Sequence, residues 1–376
     1  MTKIIIINQS VGYLTIDIVN EFAQNYKKVV LIYGNKNGLD GILHDNVIKE
    51  KIITYNKKTI FKRIFSWIFG TIQIFFKLLK YNKYEILYVT NPPISYFFAR
   101  FLRQPYSVLV YDIYPDALNN IGVSNESVIY KLWAKWNKKC YKKSKFIFTL
   151  SEGMRDVLKK YVSEEKIKII PAWSNSKNIK VVSKEENFFI KTHKLEGMFI
   201  VLYSGNIGYT HNVEVIIEIA QKMKDYSDIL FLIIGEGGKK KKIQDAVGLL
   251  NLSNCRFFDY QTEDVYPHSI SSGDIGVVTI NEKTAKLSVP SKTFNLMCAG
   301  IPILGITPND SDLNRLTEKY KNGACFEKKQ IDEMVDFILN VKNDVILKSD
   351  LQKASLQAMK DFTSKNASLF YKYLKS

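Results

Sequence analysis

Between Lys286 and Thr307 the chain runs Lys-Leu-Ser-Val-Pro-Ser-Lys-Thr-Phe-Asn-Leu-Met-Cys-Ala-Gly-Ile-Pro-Ile-Leu-Gly-Ile-Thr, and Ser291, Lys292 and Asn295 are spaced to act on one ligand. Pro290 suits the first turn of a helix, where its missing N–H would have had no partner. Ser288 is a reasonable N-cap, and Gly300 followed by Pro302 is a stop signal. The pattern predicts a helix over about Pro290 to Ala299. Unpaired amides and the positive dipole end at its start, joined by the Ser291 hydroxyl and the Lys292 ammonium, form a site for an anion, most simply a phosphate. Asn295 lies one turn on, on roughly the same face, and both donates and accepts as a sugar hydroxyl requires. An ordinary capped helix with a solvated lysine is the plain alternative.

Those residues need a scaffold, and 376 residues exceed one ordinary core, so two domains are expected. Lys3 to Asn8 reads as a buried strand rather than a signal peptide, Tyr13 to Gln24 as a helix and Val29 to Tyr33 as a strand, opening a doubly wound parallel sheet. Gly12 lies in the first β-α turn, with close backbone access to any ligand there. Further strands fall near Ile86 to Val89, Ser107 to Val110, Phe146 to Leu150 and Lys168 to Pro171. In such sheets ligands sit outside the carboxyl ends of strands, which brings forward the loops Thr90 to Pro93 and Asp112 to Asp116. A second β-α series follows from Ile200, with strands near Ile229 to Ile234, Arg256 to Phe258, Asp274 to Thr279 and Pro302 to Gly305. The division is then 1–180 for an N-terminal acceptor-binding domain, 181–197 for a linker, and 198–360 for a C-terminal nucleotide-binding domain. Residues 361–376 form a C-terminal helix able to pack back on the first domain. The fold class is α/β, two Rossmann-like domains facing across a cleft.

Charge is unevenly placed. Residues 1–190 hold 30 Lys+Arg against 15 Asp+Glu, and residues 51–145 hold 17 against 4, within a total formal charge of +17. A cationic first half implies an anionic partner: a membrane surface, a nucleic acid or a phosphorylated substrate. Inside that window Thr59 to Lys80 is aromatic and flanked by cations, with Lys62, Arg63, Phe65 and Trp67 near its start. Its uncharged run is shorter than the ~20 residues that span a bilayer. Two readings fit, a helix lying in a membrane interface and a helix covered by its own sheet. Cys140, Cys255, Cys298 and Cys325 stand far apart, and His44, His193, His211 and His268 form no ligand cluster, so a disulfide framework and a metal site are not expected.

Two glycine loops follow strands of the second half. Ser204-Gly205-Asn206-Ile207-Gly208 lets backbone amides approach a diphosphate, and Gly235-Glu236-Gly237-Gly238 ends the next strand. Lys239 to Lys242 reads as a solvated helix start, and Asp310-Ser311-Asp312 as a helix cap rather than a metal motif. As an ordered set, Leu202 to Gly208, Ile233 to Gly237, Ser272 to Val278, Ser288 to Lys292 and Ala299 to Pro302 resemble the nucleotide-sugar half of the family 4 glycosyltransferases. These are retaining enzymes of the GT-B architecture, and the likeness is to their amino-sugar and fucosamine branch in capsule, O-antigen and colanic acid assembly. Asp112 to Asp116, Leu150 to Met154 and Ile170 to Ser174 resemble that branch as well.

The resemblance implies transfer of a sugar, an N-acetylamino sugar or hexose, from a nucleotide diphosphate donor, UDP-linked in expectation, to a polyprenyl diphosphate-linked acceptor. It implies no metal and no cofactor, retention of anomeric configuration, and a leaving phosphate that itself takes the acceptor proton. Lys292, Asp112 and Asp116 are the expected catalytic and orienting residues. Gly12, Gly205, Asn206, Gly208, His211, Glu236, Tyr260, Ser291 and Asn295 are the expected donor contacts. Lys62, Arg63, Phe65 and Trp67 are expected at an anionic membrane surface, with the protein peripheral on the inner face of the cytoplasmic membrane. The family's paired glutamates fall here at Leu287 and Asn295, and its diphosphate-gripping Arg and Lys at Asn206 and His211, which leaves Lys292 as the replacement cation. A sugar-nucleotide epimerase or hydrolase of the same fold is one rival. A basic nucleic-acid-binding protein is the other, although no basic groove-reading helix or stacking motif is present and no nucleic-acid partner is expected.

Overall fold

The computed structural model describes the chain except residues 1–2, 36–38, 40, 57, 175–178, 180, 210, 283 and 288–289. It divides into two units, Met1–Ala172 with Ser364–Ser376, and Trp173–Thr363. The first contains β1 (Lys3–Asn8), α1 (Tyr13–Asn25), β2 (Lys28–Tyr33), β3 (Val47–Lys51), α2 (Ile60–Lys80), β4 (Glu85–Val89), β5 (Tyr106–Leu109), α3 (Val128–Lys143), β6 (Ile147–Thr149), α4 (Glu152–Leu158) and β7 (Ile167–Ile169). The second runs α5 (Phe188–His193), β8 (Phe199–Ser204), α6 (Glu214–Lys222), β9 (Ile229–Ile234), α7 (Lys240–Leu249), β10 (Cys255–Phe258), α8 (Tyr266–Ile270), β11 (Ile275–Thr279), α9 (Ser291–Cys298), β12 (Ile303–Ile306), α10 (Asp312–Tyr320), β13 (Gly323–Phe326), α11 (Ile331–Asn343) and α12 (Val345–Ala358). A last helix, α13 (Ala367–Lys375), returns to the first unit. There Phe370 meets Phe148, Tyr371 meets Tyr26, and Lys145 Nζ donates to the Leu374 carbonyl at 2.7 Å.

Both sheets are parallel throughout. Their strand orders are β3-β2-β1-β4-β5-β6-β7 and β10-β9-β8-β11-β12-β13. Central strands buried on both faces must be apolar along their length, and Ile4 to Ile7 and Ile229 to Ile234 are. Each order reverses once, between β1 and β4 and between β8 and β11, so each sheet has one crevice at the carboxyl ends of those strands.

The connector expected at 181–197 is instead part of the second unit. Lys184 Nζ pairs with buried Asp274, Asn187 Nδ2 donates to the His268 carbonyl at 2.8 Å, and Asn187 Oδ1 caps α5, whose Phe189 is buried against Phe258. Its polar composition reads as a linker because those polar groups make their bonds far away in sequence. Lys239 is likewise no solvated helix start: it is 9% exposed, paired to Glu214 at 2.6 Å and bonded to the His211 carbonyl. Ser311 caps α10 by accepting from Asn314 N at 3.1 Å.

β3 and the seat of α2 lie beyond the sequence pattern. Val47-Ile-Lys-Glu-Lys51 is a charged edge strand without an apolar run. Gln9, buried at the end of β1, donates to the carbonyls of Ile53 (3.0 Å) and Ser66 (2.8 Å), drawing α2 down onto the sheet. A Cβ at Gly70 would lie 2.6 Å from Gln9 Nε2, which accounts for a glycine inside this helix. Trp67 faces the protein, stacked on Tyr55 and edge-on to Tyr114, so its expected membrane contact is corrected: it belongs to the buried side of α2. Phe65 and Lys62 are exposed, and Arg63 is half-buried. α2 therefore seats one face, Ser66, Gly70, Thr71, Ile74 and Leu78, and leaves an apolar second face open.

Glu50 of β3 fastens the far end of α2. Its carboxylate accepts from Lys77 (2.6 Å), Lys80 (3.0 Å) and Tyr81 (2.5 Å). Burial alone would raise its pKa, but these three donors outweigh it and bring it from 4.5 down to about 2. A depressed folded pKa adds stability above the unfolded value that is lost as pH falls from about 4.5 through 2. Glu50→Gln is expected to cost about 1–3 kcal/mol at pH 7 and almost nothing below pH 2, read as a difference in thermal unfolding that closes across that window.

Candidate active site

The second unit gathers its candidate residues at the β8/β11 crevice. A pocket of about 350 Å³ is lined by Gly205, Asn206 and His211 from the loop after β8, Tyr260 from beyond β10, and Ser291, Lys292 and Asn295 from α9. These seven come from sequence positions up to ninety apart. Gly208 ends the same glycine loop without lining the pocket, and the Glu236 carboxylate is turned to Lys240 at 2.6 Å while its carbonyl accepts from Ile207 N at 2.8 Å.

Helix α9 starts at Ser291 with Pro290 as an N-cap that supplies no side-chain bond. Ser288, expected as the cap, lies outside the described residues. Thr293 N bonds back to the Pro290 carbonyl at 3.1 Å, so of the first turn the Ser291 and Lys292 amides are the ones an anion would meet. Gly300, at φ +68°, ends the helix as the stop signal required. On the other side of the pocket the glycine loops are stitched together by Gly205 N to the Ile234 carbonyl (2.9 Å) and Lys239 N to the Ile207 carbonyl (3.0 Å). A Cβ on Gly235 would sit 1.9 Å from the Gly205 carbonyl oxygen, and its φ of +147° already disfavours any other residue. Two backbones can therefore meet at the pocket floor without a side chain between them.

Lys292 is held from above Tyr203. Its Nζ donates to Tyr203 Oη at 3.0 Å and lies 4.2 Å from that ring's centroid, and the same hydroxyl donates to the Asn206 carbonyl at 2.7 Å. The sequence offered no sign of this: Tyr203 looks like one more apolar residue of a buried strand, which it also is, with no exposed surface. Desolvation lowers the Lys292 pKa from 10.5 to about 7. Near neutral pH the amine is poised, and an arriving anion favours its charged form. His211 donates through Nδ1–H to the Thr279 carbonyl (3.1 Å); burial first, then the charge of Lys292, bring its pKa down to about 4. A neutral imidazole supplies no charge, so among the described lining residues Lys292 is the one group able to bring a positive charge to an anion at pH 7.

Asn295 Nδ2 donates to Tyr266 Oη at 2.9 Å, which fixes the amide and leaves its oxygen free of that bond. Ser204, which opens the glycine loop, also lines the pocket, as do Tyr266 and Gln261, which the sequence did not single out. Leu287 is buried, consistent with a backbone role only.

The remaining candidates belong to the first unit. Gly12 caps α1 in extended geometry with open space where a Cβ would stand, so no close approach within the unit demands glycine there. Asp112 is exposed. Asp116 is corrected: it is 4% exposed, and its carboxylate accepts from Tyr130 (3.0 Å), Tyr161 (2.5 Å) and Lys160 (2.9 Å). Three donors spend its lone pairs on holding α3 and the segment after α4, so its work is structural.

Residues 184–358 match the family model described as glycosyl transferases group 1. The chain is 27% identical over 193 residues to the putative colanic acid biosynthesis glycosyl transferase WcaI of Escherichia coli, covering 50% of this chain and 47% of that one. It is 24% identical over 245 residues to the probable glycosyltransferase WbjE of Pseudomonas aeruginosa, covering 62% and 60%. The matched stretches thus span about half to three fifths of these relatives' lengths. Among solved structures, Alr3699/HepE of Anabaena in complex with UDP superposes with a TM-score of 0.77 at 12% identity, over 100% of both chains. Sucrose-phosphate synthase of Thermosynechococcus elongatus does so with 0.76 at 14%, over 100% and 98%. The fold of the chain is that of the GT-B proteins, as the two parallel sheets already indicated.

If Tyr203 holds Lys292, Tyr203→Phe is expected to cost about 1–3 kcal/mol of stability, because the Asn206 carbonyl loses its donor, and to weaken pyrophosphate binding roughly tenfold, the scale of one hydrogen bond to a charged group. Equal affinity in calorimetry would show that the ring alone positions the amine.

Proposed function

We propose, from the match of residues 184–358 to the glycosyl transferases group 1 family model, that the chain is a retaining glycosyltransferase using a nucleotide diphosphate sugar, UDP-linked. The observation that carries this reading is the start of α9, where Pro290 supplies no side-chain cap, placed with the Lys292 amine in one pocket with the Gly205 loop. A diphosphate is placed between the first amides of α9, the close-approaching backbone of the glycine loop and one cation. In the reaction the bond from the anomeric carbon to the diphosphate oxygen breaks, and the acceptor hydroxyl forms its bond to that carbon on the same face. The acceptor proton passes to the leaving phosphate oxygen. Negative charge grows on the diphosphate during this step, and donors already in place stabilise it without reorganising. Asn295, held by Tyr266, is assigned to a ribose hydroxyl, and Tyr260 to the edge of the nucleotide. Asp112, exposed on the first unit, is assigned to orienting the acceptor.

The acceptor is proposed to be lipid-linked, a polyprenyl diphosphate carrying sugar, for use in surface polysaccharide. Support comes from the similarity to WcaI and WbjE and from the open apolar face of α2 within a cationic half of the chain. Among the described residues no helix is long and apolar enough to cross a membrane. Attachment is therefore proposed to be peripheral, on an anionic inner face.

Thermal unfolding with UDP, GDP and their sugars tests the donor reading, since a ligand bound at a hundred times its Kd stabilises by ~2.7 kcal/mol. UDP is expected to raise the unfolding temperature of the wild type and to lose at least a tenfold share of its affinity in Lys292→Ala. No shift with any nucleoside diphosphate would contradict the reading.

A further inference from the structure

The open face of α2 is part of a larger surface. In a parallel sheet, crossovers are right-handed, so connections that step the same way along the strand order lie on the same face. The connections β3 to β4, β4 to β5 and β5 to β6 all step one way, and β1 to β2 steps the other. Hence α2, the short 3-10 helix Ser95–Arg100 and α3 form one layer, opposite α1 and α13. Rings join the layer laterally: Phe75 of α2 meets Phe98 at 4.9 Å, and Phe97 stacks on Trp136 of α3 at 5.8 Å.

Its outer surface is apolar to an unusual degree. Thirteen of the twenty-five exposed large apolar residues among those described belong to α2, Phe101 or α3, although these make up a small part of the chain. On α3 the apolar part is its first turns, where Val128, Ile129 and Leu132 are all more than half exposed. The same helix carries six lysines, five of them beyond Leu132, and no acidic residue, and α2 carries four basic residues and no acidic one. Monomeric proteins rarely leave so many large apolar side chains of one layer to water.

Charge selects the occupant. A second copy seated here by two-fold symmetry would bring like charges face to face. A nucleic acid would pair with the lysines and leave the phenylalanines and leucines wet. An anionic bilayer satisfies both, with apolar side chains entering the headgroup boundary and lysines remaining at the lipid phosphates.

We propose that α3 is a second membrane anchor, and that the α2, Phe101 and α3 layer docks as a unit on an anionic lipid surface through Val128, Ile129 and Leu132 as well as α2. This rests on the membrane reading above and adds to it a second contact that fixes how the first unit lies on the lipid. Two anchors on one rigid layer bind far more tightly than either alone, because the second contact is intramolecular.

The test is flotation of the full chain with vesicles of phosphatidylcholine alone and with 30% phosphatidylglycerol, at low and high salt. The wild type is expected to float with anionic vesicles, to be released by salt, and to ignore neutral ones. Ile129→Glu with Leu132→Glu, and separately Phe65→Glu, are each expected to lower the partition coefficient roughly tenfold or more, with circular dichroism and the UDP-induced thermal shift unchanged. Release by Phe65→Glu alone, with the α3 variant bound like the wild type, would overturn the α3 anchor and leave the membrane reading standing. A wild type that does not float would overturn both. So would a dimer in sedimentation that the α3 variant abolishes without any effect of lipid. None of these results bears on the donor pocket, which the thermal shift reads separately.

Discussion

The ammonium of Lys292 rests on the hydroxyl and ring of Tyr203, and much of the second unit exists to keep it there. A lysine this poorly solvated loses charge unless an anion joins it. The hydroxyl that receives its proton donor also holds the Asn206 carbonyl, so one buried tyrosine couples the cation to the glycine loop facing it. The face of the ring adds an attraction on the scale of ~0.5–2 kcal/mol to a cation in a partly desolvated place. In the wider family resemblance, charge enters this pocket from the glycine loop. Here those positions are Asn206 and a neutral His211, and the cation arrives from α9 instead.

That geometry depends on the sheet. Parallel strands end together, and the reversal of order between β8 and β11 opens the crevice into which α9 and the glycine loop both project. The contact of the Gly205 and Gly235 backbones, too close for any side chain, sets the depth of the floor. The first unit repeats the sheet but spends its polar groups differently: its Asp116 is consumed in fastening α3 and its Gln9 in seating α2, so there they hold helices onto the sheet.

Much of this was legible in the sequence. The uninterrupted apolar runs at Lys3 to Asn8 and Ile229 to Ile234 could only be strands buried on both faces, and Pro290 with Gly300 bounded α9 almost to the residue. Six of the expected donor contacts, from separate motifs, line one pocket together with Lys292, while Gly12, Gly208 and Glu236 do not. What escaped the sequence was each feature whose cause is a distant partner. β3 is charged because it is an edge, the segment from Lys184 is polar because its bonds reach Asp274 and His268, and Tyr203 is indistinguishable from core until Lys292 is placed over it. Trp67 was misplaced for a related reason: a helix apolar on both faces does not say which of its aromatics meets the protein.

The central claim is that Lys292 gains its charge when a diphosphate binds. With a free pKa of about 7, roughly nine tenths of these amines are neutral at pH 8. Calorimetric titration of UDP at pH 8 in buffers of different ionisation enthalpy measures the protons taken up on binding. The account predicts uptake of most of one proton by the wild type and none by Lys292→Arg, whose guanidinium is always charged. Binding of UDP with no proton uptake by the wild type would contradict it.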